Sequence, residues 1–567
     1  MKYLKLFFIT ALSIFTICSC TDSNIVPEEP ETPVTPDEPE EPETPEETGP
    51  DYLFMFYGVG GGSLDQSIIS NIFQALDAGN DDNVKMTFQY KMSAKIQEEF
   101  TDFNGTRRFT GEDNEHLKGT LKSQPDVYPR VHETKYKELF AQLKSEKIGG
   151  ADYDMVCADS LTSFIKWSKD KYPAKRTILV LAGHGRGWAM TDDSKDNAQT
   201  RSVLKDDNSN TFMTLNTVVN GVKNAGNVDL IYADACLMSM YEVLYGYAEC
   251  TKYFMASMEA TPEAGGEYIN FINLLKQAGS TDEGFEEALR KHCDYCVNDW
   301  WPKGNYSDIG FYNLTKLGKL TEALKGVVDT MVEKYTSKES VEPTKEGPLG
   351  EQFSKYINNA FMKCETVDVV YLVKENFTST IVERMKKDDV IFEPSTKQDV
   401  FHWLGAKYQA RNDAENADLK DELEFLVAVY SRISENSFSL TDLLRNLDNS
   451  LAEVGARNNP FGALRTKLLS ALKEMSYIKC VTPKAHTGID EEYELCSPGI
   501  FIIPMTNNKI YSDAVYARVC DDIMHLDDAL QSYQNTAFDQ QIGWSRMLTL
   551  LDVMPSYLMN PVRSEVK

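Results

Sequence analysis

Basic residues are scarce in this sequence relative to acidic ones. Its 567 residues include 58 Lys and Arg against 87 Asp and Glu, and the formal net charge at pH 7 is −29. So much negative charge repels phosphate backbones, so nucleic acid is excluded as an expected partner. The charge suits a soluble exported protein, or a protein whose substrates are basic.

Long apolar runs are absent after the first 20 residues, so no later segment is expected to span a membrane. Residues 1–20 have lysines at the start, a short apolar run, and small or thiol residues at the end, as in a signal peptide. The Ser19-Cys20 ending resembles a bacterial lipoprotein signal. This implies lipidation of Cys20 and a protein anchored in the cell envelope, at the outer membrane or the cell surface. Simple secretion without a lipid is the alternative.

Residues 21–50 lack Lys and Arg altogether and are rich in Pro, Glu and Thr. Proline disfavours helix and biases the chain toward an extended conformation, while the carboxylates repel one another. We therefore predict a stiff tether of about 3 Å per residue between the anchor and a folded body that begins at Asp51.

The spacings of common metal sites are also missing. No acidic loop has the EF-hand spacing, and the close pair Cys293 and Cys296, preceded by His292, has no second pair to complete a structural zinc site. This pair lies in a helix-like segment, so we expect packing or a disulfide rather than a metal or redox role. The sequence requires no cofactor, although its acidic loops leave calcium open.

Two stretches carry candidate chemistry. Residues 178–188 (ILVLAGHGRGW) and 228–240 (VDLIYADACLMSM) are apolar runs that change abruptly to polar or small residues, as buried parallel strands do where they end in loops. The first leads to His184 and the second to Cys236. Because chemistry in open α/β sheets lies beyond the carboxyl ends of the strands, these residues suit a nucleophile and its acid/base partner.

The surroundings of the two residues strengthen this interpretation. His184 lies about 50 residues before Cys236, as in the caspase pattern, with glycines on both sides of the His and Ala235 before the Cys. The N–H groups of Gly185 and Cys236 could form an oxyanion hole. Each residue alone has a structural alternative, in which Cys236 is a buried thiol and His184 caps a turn. Together they predict a cysteine hydrolase.

These motifs resemble the clostripain family of cysteine peptidases, in the clan that also holds caspases, legumain and gingipains. The resemblance implies a caspase-like α/β/α sandwich with a mostly parallel sheet, in which Cys236 attacks the substrate carbonyl and His184 protonates the leaving amine. The family's usual acidic segment after the first strand is Gly-rich here (58–63). The matching segments are HGRGW (184–188), DACLMS (234–239), the approach to the His strand (161–182), YLFMFYG (52–58), Asp206-Asp207 before Thr214-Leu215, and GIFIIP (499–504).

Local patterns agree with such a sandwich. The catalytic core is expected at 51–330 and a largely helical accessory region at 331–567, with a strand at 499–504 that returns to the catalytic fold. The individual predictions are strands at 52–57, 84–90 and 307–314, helices at 64–78, 160–170, 214–223, 441–453 and 464–475, N-cap residues Ser160 and Thr214, and a loop or hairpin up to about residue 129.

Asp234 is the candidate specificity residue. Two positions before Cys236 on a strand, its side chain should share the face of the Cys, where a carboxylate attracts an Arg or Lys side chain. The resemblance implies the same role, at the floor of the S1 pocket. Asp234 could instead cap a following helix. Glu259 and Glu263 could enlarge the acidic pocket, or they could be solvated loop charges.

Residues 189–212, between the two catalytic strands, are polar and aperiodic, which predicts a flexible surface loop. The resemblance implies that such a loop is often cut by the enzyme itself, here after Arg201 or Lys205, ahead of Lys195. The leading hypothesis is a self-activated, lipid-anchored endopeptidase that cuts proteins or peptides after Arg or Lys. The alternatives are a catalytically silent surface protein that binds peptides or glycans, and a relative with another P1 preference.

Overall fold

The predicted signal peptide, Cys20 and almost all of the predicted tether lie outside the described residues. No helix in the described ranges is both long enough and apolar enough to cross a bilayer. The computed structural model describes residues 49–60, 64–92, 105–120, 138–150, 152–185, 187–188, 203–206, 209, 211–302, 307–341, 352–363, 379–390, 403, 407, 410, 416, 418–420, 437–456, 458–481, 493, 496–501 and 533–552.

The strands of the described residues form one large sheet and two small ones. The large sheet has nine described strands in the order β12-β10-β9-β8-β5-β1-β2-β3-β4, while β6 pairs with β7 and β11 with β13. In chain order the strands are β1 (Tyr52–Val59), β2 (Val84–Lys91), β3 (Thr106–Thr110), β4 (Glu146–Gly149), β5 (Arg176–Ala182), β6 (Val203–Asp206), β7 (Thr211–Met213), β8 (Val228–Asp234), β9 (Thr251–Ala256), β10 (Ser307–Asn313), β11 (Ser437–Ser439), β12 (Ser476–Val481) and β13 (Gly499–Phe501).

The five central strands of the large sheet are parallel. β1 lies between β2 and β5, and β8 lies between β5 and β9, all in parallel register. Antiparallel strands complete both sides, with β3 and β4 beyond β2, and β10 and β12 beyond β9. This arrangement places the carboxyl ends of β5 and β8 side by side in the middle of the sheet.

Helices cover both faces of the sheet. On one face, side chains of α1, α5 and α6 share a core cluster with Phe54 and Phe56 of β1, while on the other face side chains of α2, α3, α4, α7, α10 and α11 belong to the cluster that includes Met55 and Tyr57. The described helices are α1 (Asp65–Ala78), α2 (Ala158–Lys171), α3 (Leu215–Asn224), α4 (Tyr241–Tyr247), α5 (Tyr268–Ala278), α6 (Asp282–Tyr295), α7 (Leu317–Thr336), α8 (Phe353–Lys363), α9 (Ser379–Lys387), α10 (Leu440–Glu453), α11 (Phe461–Met475), α12 (Ala537–Ile542) and α13 (Ser545–Asp552).

The apolar runs of the sequence explain the central strands. β1 and β5 are buried along their whole length because helices cover both faces, so nearly every position favours an apolar side chain. The predicted α/β sandwich is therefore confirmed. So is the crossover helix before β8, where the Thr214 hydroxyl accepts a hydrogen bond from the Thr217 amide and caps α3.

Three local predictions need correction. Helix α2 begins at Ala158 after Cys157, so Ser160 lies in the first turn and is not the N-cap residue. The Ser160 hydroxyl instead donates to the carbonyl of Asp154, which precedes the helix. The strand predicted at 499–504 is present at Gly499–Phe501, but it pairs with β11 rather than with a described strand of the large sheet. Among the described strands, the large sheet ends at β12 on that side.

The interval between the catalytic strands is the third correction. Residues 203–206 and 211–213 are not a loop, because they form the antiparallel pair β6 and β7, in which Val203 and Leu204 are buried. Residues 189–202, 207–208 and 210 lie outside the described part of the chain, so the loop prediction stands untested there. The short strands escaped notice because their apolar residues are few and lie between charged ones.

The helical character of the C-terminal half is confirmed where it is described. Helices α10 and α11 occupy the two segments predicted from pattern, and they pack into the same core cluster as the catalytic strands. Strand β12, which follows α11, extends the large sheet by pairing with β10. The boundary between a catalytic core at 51–330 and an accessory region at 331–567 stays a prediction.

Candidate active site

His184 and Cys236 lie just past the carboxyl ends of two neighbouring parallel strands. The last register pair between β5 and β8 is Ala182 with Asp234, and each candidate follows its strand end by two residues. The Gly183 amide donates to the carbonyl of Asp234 at 3.3 Å, which continues the strand contact toward the two side chains. The structure thus brings both candidates to the same point on the sheet edge.

Gly185 lies directly against the backbone of Cys236. A Cβ atom at Gly185 would be 2.4 Å from the Cys236 carbonyl oxygen and 3.0 Å from its nitrogen, so only glycine allows this approach. The amides of Gly185 and Cys236 are therefore close neighbours, as an oxyanion hole of two backbone donors requires.

Two leucines beside the catalytic residues adopt left-handed backbone conformations. Leu237, immediately after Cys236, has φ +61°, and Leu204, whose amide donates to the His184 carbonyl at 2.7 Å, also has φ +61°. A bulky residue in this region is strained, and such strain is concentrated at functional sites. The Leu237 amide donates to the Glu259 carbonyl at 3.1 Å, which holds the turn in place.

A buried ion pair anchors β6 beside His184. Val203 forms an antiparallel bridge with Gly185, and three residues later Asp206 pairs with Lys91 at 2.6 Å. Both of these charged side chains are only 2% exposed, and the Lys91 ammonium also donates to the Tyr153 carbonyl at 2.8 Å. Asp206 belongs to the segments that resemble the clostripain family, but sequence reasoning gave it no partner. The available sign of a buried partner was Lys91, a lysine at the end of a buried strand.

The turn after Cys236 is held from three directions. The Ser239 amide donates to the Ser257 carbonyl at 2.8 Å, and the Ser239 hydroxyl shares a 2.6 Å hydrogen bond with the hydroxyl of Tyr312. The Ser239 carbonyl accepts from the Gly499 amide at 2.8 Å. The segment at 499–501 therefore supports the cysteine turn, although it lies outside the large sheet.

Asp234 is the last residue of β8 and is buried. Its Oδ2 accepts hydrogen bonds from the Gly266 amide at 2.9 Å and from the Tyr268 hydroxyl at 2.7 Å. Burial raises the pKa of this carboxyl, and the two hydrogen bonds oppose that rise. Asp234 does not cap the helix after it, because α4 begins after Met240 without a side-chain cap. No ion pair involves Asp234 within the described ranges.

The loop from β9 to α5 passes over both Asp234 and Cys236. Its Thr261 carbonyl oxygen lies 3.8 Å from the Cys236 sulfur, and its Gly266 is the amide donor to Asp234. Glu259 in this loop is only 2% exposed, so it is not a solvated charge, whereas Glu263 is exposed.

The cysteine pair near residue 295 is packed in the core. His292, Cys293 and Cys296 are fully buried, and the two thiols are free rather than in a disulfide. The His292 ring stacks on Phe271 with centroids 4.4 Å apart, and burial lowers the pKa of His292 to about 3. Within the described ranges, no group of three or more His, Cys, Asp or Glu side chains could hold a metal ion.

The candidate processing residues are only partly visible. Lys205 lies in β6, in register with Phe212 of β7. Arg201 and Lys195 fall outside the described residues, as does Cys20.

Comparisons with known proteins converge on one family. The model of the clostripain family matches residues 129–456 of this chain. Clostripain of Hathewaya histolytica is 23% identical over 248 residues, which cover 40% of this chain and 43% of clostripain. The chain thus spans less than half the length of this curated relative.

Solved structures of C11 cysteine proteases are similar at low identity. An inactive zymogen of a C11 protease from Parabacteroides distasonis has 13% identity and a TM-score of 0.43, covering 87% of this chain and 99% of that one. A secreted C11 cysteine protease from Bacteroides thetaiotaomicron has 19% identity and a TM-score of 0.34, covering 50% of this chain and 71% of that one.

Proposed function

Because this chain belongs to the clostripain family, we propose that it is a cysteine endopeptidase with Cys236 as nucleophile and His184 as its acid/base partner. The observation that carries the proposal is the position of the two residues. The last register pair of the adjacent parallel strands β5 and β8 is Ala182 with Asp234. His184 lies two residues after Ala182, and Cys236 lies two residues after Asp234.

In the proposed reaction, the Cys236 sulfur attacks the scissile carbonyl and the carbon–nitrogen bond breaks after a tetrahedral intermediate. The amides of Gly185 and Cys236 stabilise the oxyanion of that intermediate. His184 gives a proton to the departing amine, and then takes a proton from the water that hydrolyses the thioester. The close contact between Gly185 and the Cys236 backbone supports this assignment of the oxyanion donors.

The proposed substrates carry Arg or Lys at P1. Asp234 supports this preference because it is a buried carboxylate whose hydrogen-bond donors among the described residues are neutral, the Gly266 amide and the Tyr268 hydroxyl. A substrate guanidinium or ammonium would supply the missing opposite charge, and guanidinium would do so with bidentate geometry. Glu259, which is buried in the loop from β9 to α5, would add to the negative potential near Asp234.

Self-activation is proposed to occur by cleavage after Arg201 in preference to Lys205. A peptidase binds its substrate as an extended, unpaired strand, whereas the bond after Lys205 lies inside the β6–β7 ladder. Lys195 remains the third candidate. Lipidation of Cys20 and anchoring in the bacterial cell envelope complete the proposal, and a calcium requirement is left for the assay to decide.

The test uses the chain from Asp51 onward, wild type beside Cys236→Ala. Both proteins are incubated with reporter peptides that differ only in Arg, Lys, Asp or Asn at P1, with and without calcium, and their intact masses are followed. Cleavage after Arg or Lys by the wild type alone supports the peptidase, and a mass loss absent from Cys236→Ala locates the processing site.

Two results would contradict the proposal. Equal cleavage by wild type and Cys236→Ala would remove the cysteine from the mechanism. Failure of the wild type to cut any reporter would favour a silent surface protein that binds peptides or glycans, and cleavage after Asp or Asn alone would assign another P1 preference.

A further inference from the structure

Tyr533 lies between the segments that follow the two catalytic residues. Its side chain is fully buried, and its ring meets the ring of Trp188 edge-on with centroids 4.8 Å apart. Its hydroxyl donates to Oε1 of Glu242 at 2.6 Å. Burial raises the pKa of Tyr533 well above its ordinary value, so the hydroxyl keeps its proton and remains a donor.

Both contacts of Tyr533 lie close in sequence to the catalytic residues. Trp188 ends the segment that starts at His184, and Glu242 is a fully buried residue of α4, the helix that follows the Cys236 turn. One side chain from the C-terminal part of the chain therefore touches both catalytic segments.

The two segments also pack on each other. Gly187 has φ +81°, and a Cβ atom there would be 2.3 Å from the Met240 sulfur, so the His184 segment lies tightly against the end of the Cys236 turn. Tyr533 contacts Trp188, the residue after Gly187, and Glu242, two residues after Met240. A displacement of either segment would change the distances between the His184 imidazole, the Cys236 thiol and the proposed oxyanion donors.

We infer that Tyr533 is a positioning residue, which fixes the His184 and Cys236 segments relative to each other through Trp188 and Glu242. This inference rests on the proposed peptidase function. It assigns the C-terminal helical pair α12 and α13 a role in catalysis, because Tyr533 directly precedes this pair and Phe538 of α12 stacks on Tyr241 of α4.

A neighbouring tyrosine provides the matched control. Tyr245 of α4 is also buried, packs on Phe538 with centroids 5.3 Å apart, and shares a 2.7 Å hydrogen bond with the hydroxyl of Thr321. Tyr245 thus joins α4 to α7, and neither of these contacts reaches the His184 segment. Tyr245→Phe removes a comparable buried hydrogen bond from the same region.

The experiment compares Tyr533→Phe, Tyr533→Leu and Tyr245→Phe with the wild type. Initial rates on an Arg reporter give kcat and KM, and hydrogen exchange followed by mass spectrometry covers residues 183–188 and 236–247. We expect Tyr533→Leu to lower kcat by roughly 10- to 100-fold with little change in KM, since small displacements of catalytic groups cost this much. Tyr533→Phe should show a smaller loss, and exchange should rise in both segments.

The outcomes distinguish failure of the positioning role of Tyr533 from failure of the proposed peptidase function. Kinetics and exchange in both Tyr533 variants that match Tyr245→Phe would overturn the positioning role. If the wild type cleaves no reporter, the peptidase proposal fails, and the exchange data alone decide whether Tyr533 fixes the two segments. If Tyr533→Leu does not fold, Tyr533→Phe, which keeps the ring, decides the question by the same criteria.

Discussion

At the scale of single residues, Asp234 lies in an unusual environment for a carboxylate. Its carboxylate is buried against a neutral amide and a neutral hydroxyl, and burial raises its pKa. An ionised carboxylate in such a place gains most from a bound cation, because little solvent competes for its charge. Under the proposed function, a basic P1 side chain and the ionised form of Asp234 would therefore stabilise each other.

Replacing Asp234 by Asn should remove the preference for basic P1 residues. The amide oxygen can still accept from Gly266 and Tyr268, but the attraction for Arg or Lys is lost. We expect kcat/KM for an Arg reporter to fall roughly 30-fold or more, the effect of about 2 kcal/mol for a truncated buried charge pair. Steady-state kinetics on Arg and neutral P1 reporters measure this change.

The activity on Arg reporters should also depend on pH through Asp234. Because the pKa of Asp234 is raised, wild-type kcat/KM for Arg reporters should fall on the acid side at a higher pH than an exposed aspartate would produce. Asp234→Asn should lack that acid limb. Exposed Glu263 offers a control, since Glu263→Gln should change neither the preference nor the profile, and an Asp234→Asn enzyme with wild-type preference would refute the assignment.

At this scale the sequence predicted candidate catalytic and binding residues, but not the contacts that support them. His184, Cys236 and Asp234 stood out because polar residues that directly follow buried strands are unusual. Tyr268, Tyr312 and Tyr533 did not, because aromatic residues are common in cores and their hydroxyl partners lie far away in sequence. Which tyrosine reaches which partner depends on tertiary packing, and no local pattern records it.

At the scale of secondary structure, the start of α5 contains a second unusual carboxyl. Glu267 is the N-cap residue of this helix, where its side chain accepts a hydrogen bond from the Asn270 amide. Burial, as the largest cause, raises the pKa of Glu267 to about 7, while hydrogen bonds from two backbone amides oppose the rise. The cap therefore changes charge near neutral pH.

Glu267→Gln should make stability less dependent on pH. A raised pKa means that the folded state binds this proton more tightly than the unfolded state, so the stabilisation is present below pH 4.5 and is lost as pH rises toward 7. The loss is roughly 3 kcal/mol at most. Urea unfolding of both proteins between pH 4.5 and 8 should show the wild type losing stability relative to the variant, and parallel curves would contradict the prediction.

Removing one partner of the buried ion pair between β2 and β6 should be strongly destabilising, because the other charge is then left buried and uncompensated. Lys91→Met leaves the Asp206 carboxylate without its cation, and the expected cost is about 3–5 kcal/mol in the free energy of unfolding. Adding Asp206→Leu should recover a large part of that cost, because it removes the stranded charge. Urea unfolding of the two single variants and the double variant measures the coupling.

An exposed pair of the same chemistry serves as control for this cycle. Lys252 pairs with Asp229 at 2.9 Å, but the lysine side chain is 63% exposed, so Lys252→Met should cost about 1 kcal/mol or less. If Lys91→Met and Lys252→Met lowered the free energy of unfolding equally, burial of the Lys91–Asp206 ion pair would make no difference to stability.

At the scale of the whole molecule, the α/β sandwich followed from sequence patterns, but the composition of its sheet did not. β1, β5 and β8 are mostly apolar over seven or eight residues, so their patterns predicted strands. β3, β4, β6 and β7 are short and mixed in character, and β12 directly follows a helix. Their pairing depends on neighbours that are far apart in sequence, so only the structure shows that residues after 470 extend the sheet.

The adjacency of β5 and β8 has a final consequence for a nicked protein. A cut anywhere in residues 189–202 would divide the sheet down its middle, with β1, β2, β3, β4 and β5 on one fragment and β8, β9, β10 and β12 on the other. The two fragments would then form a heterodimer whose interface is a ladder of backbone hydrogen bonds inside the core. Such a protein would migrate as two bands under denaturing conditions and as one particle under native ones. Its folding would change from a unimolecular to a bimolecular reaction, so processing after folding would make denaturation hard to reverse.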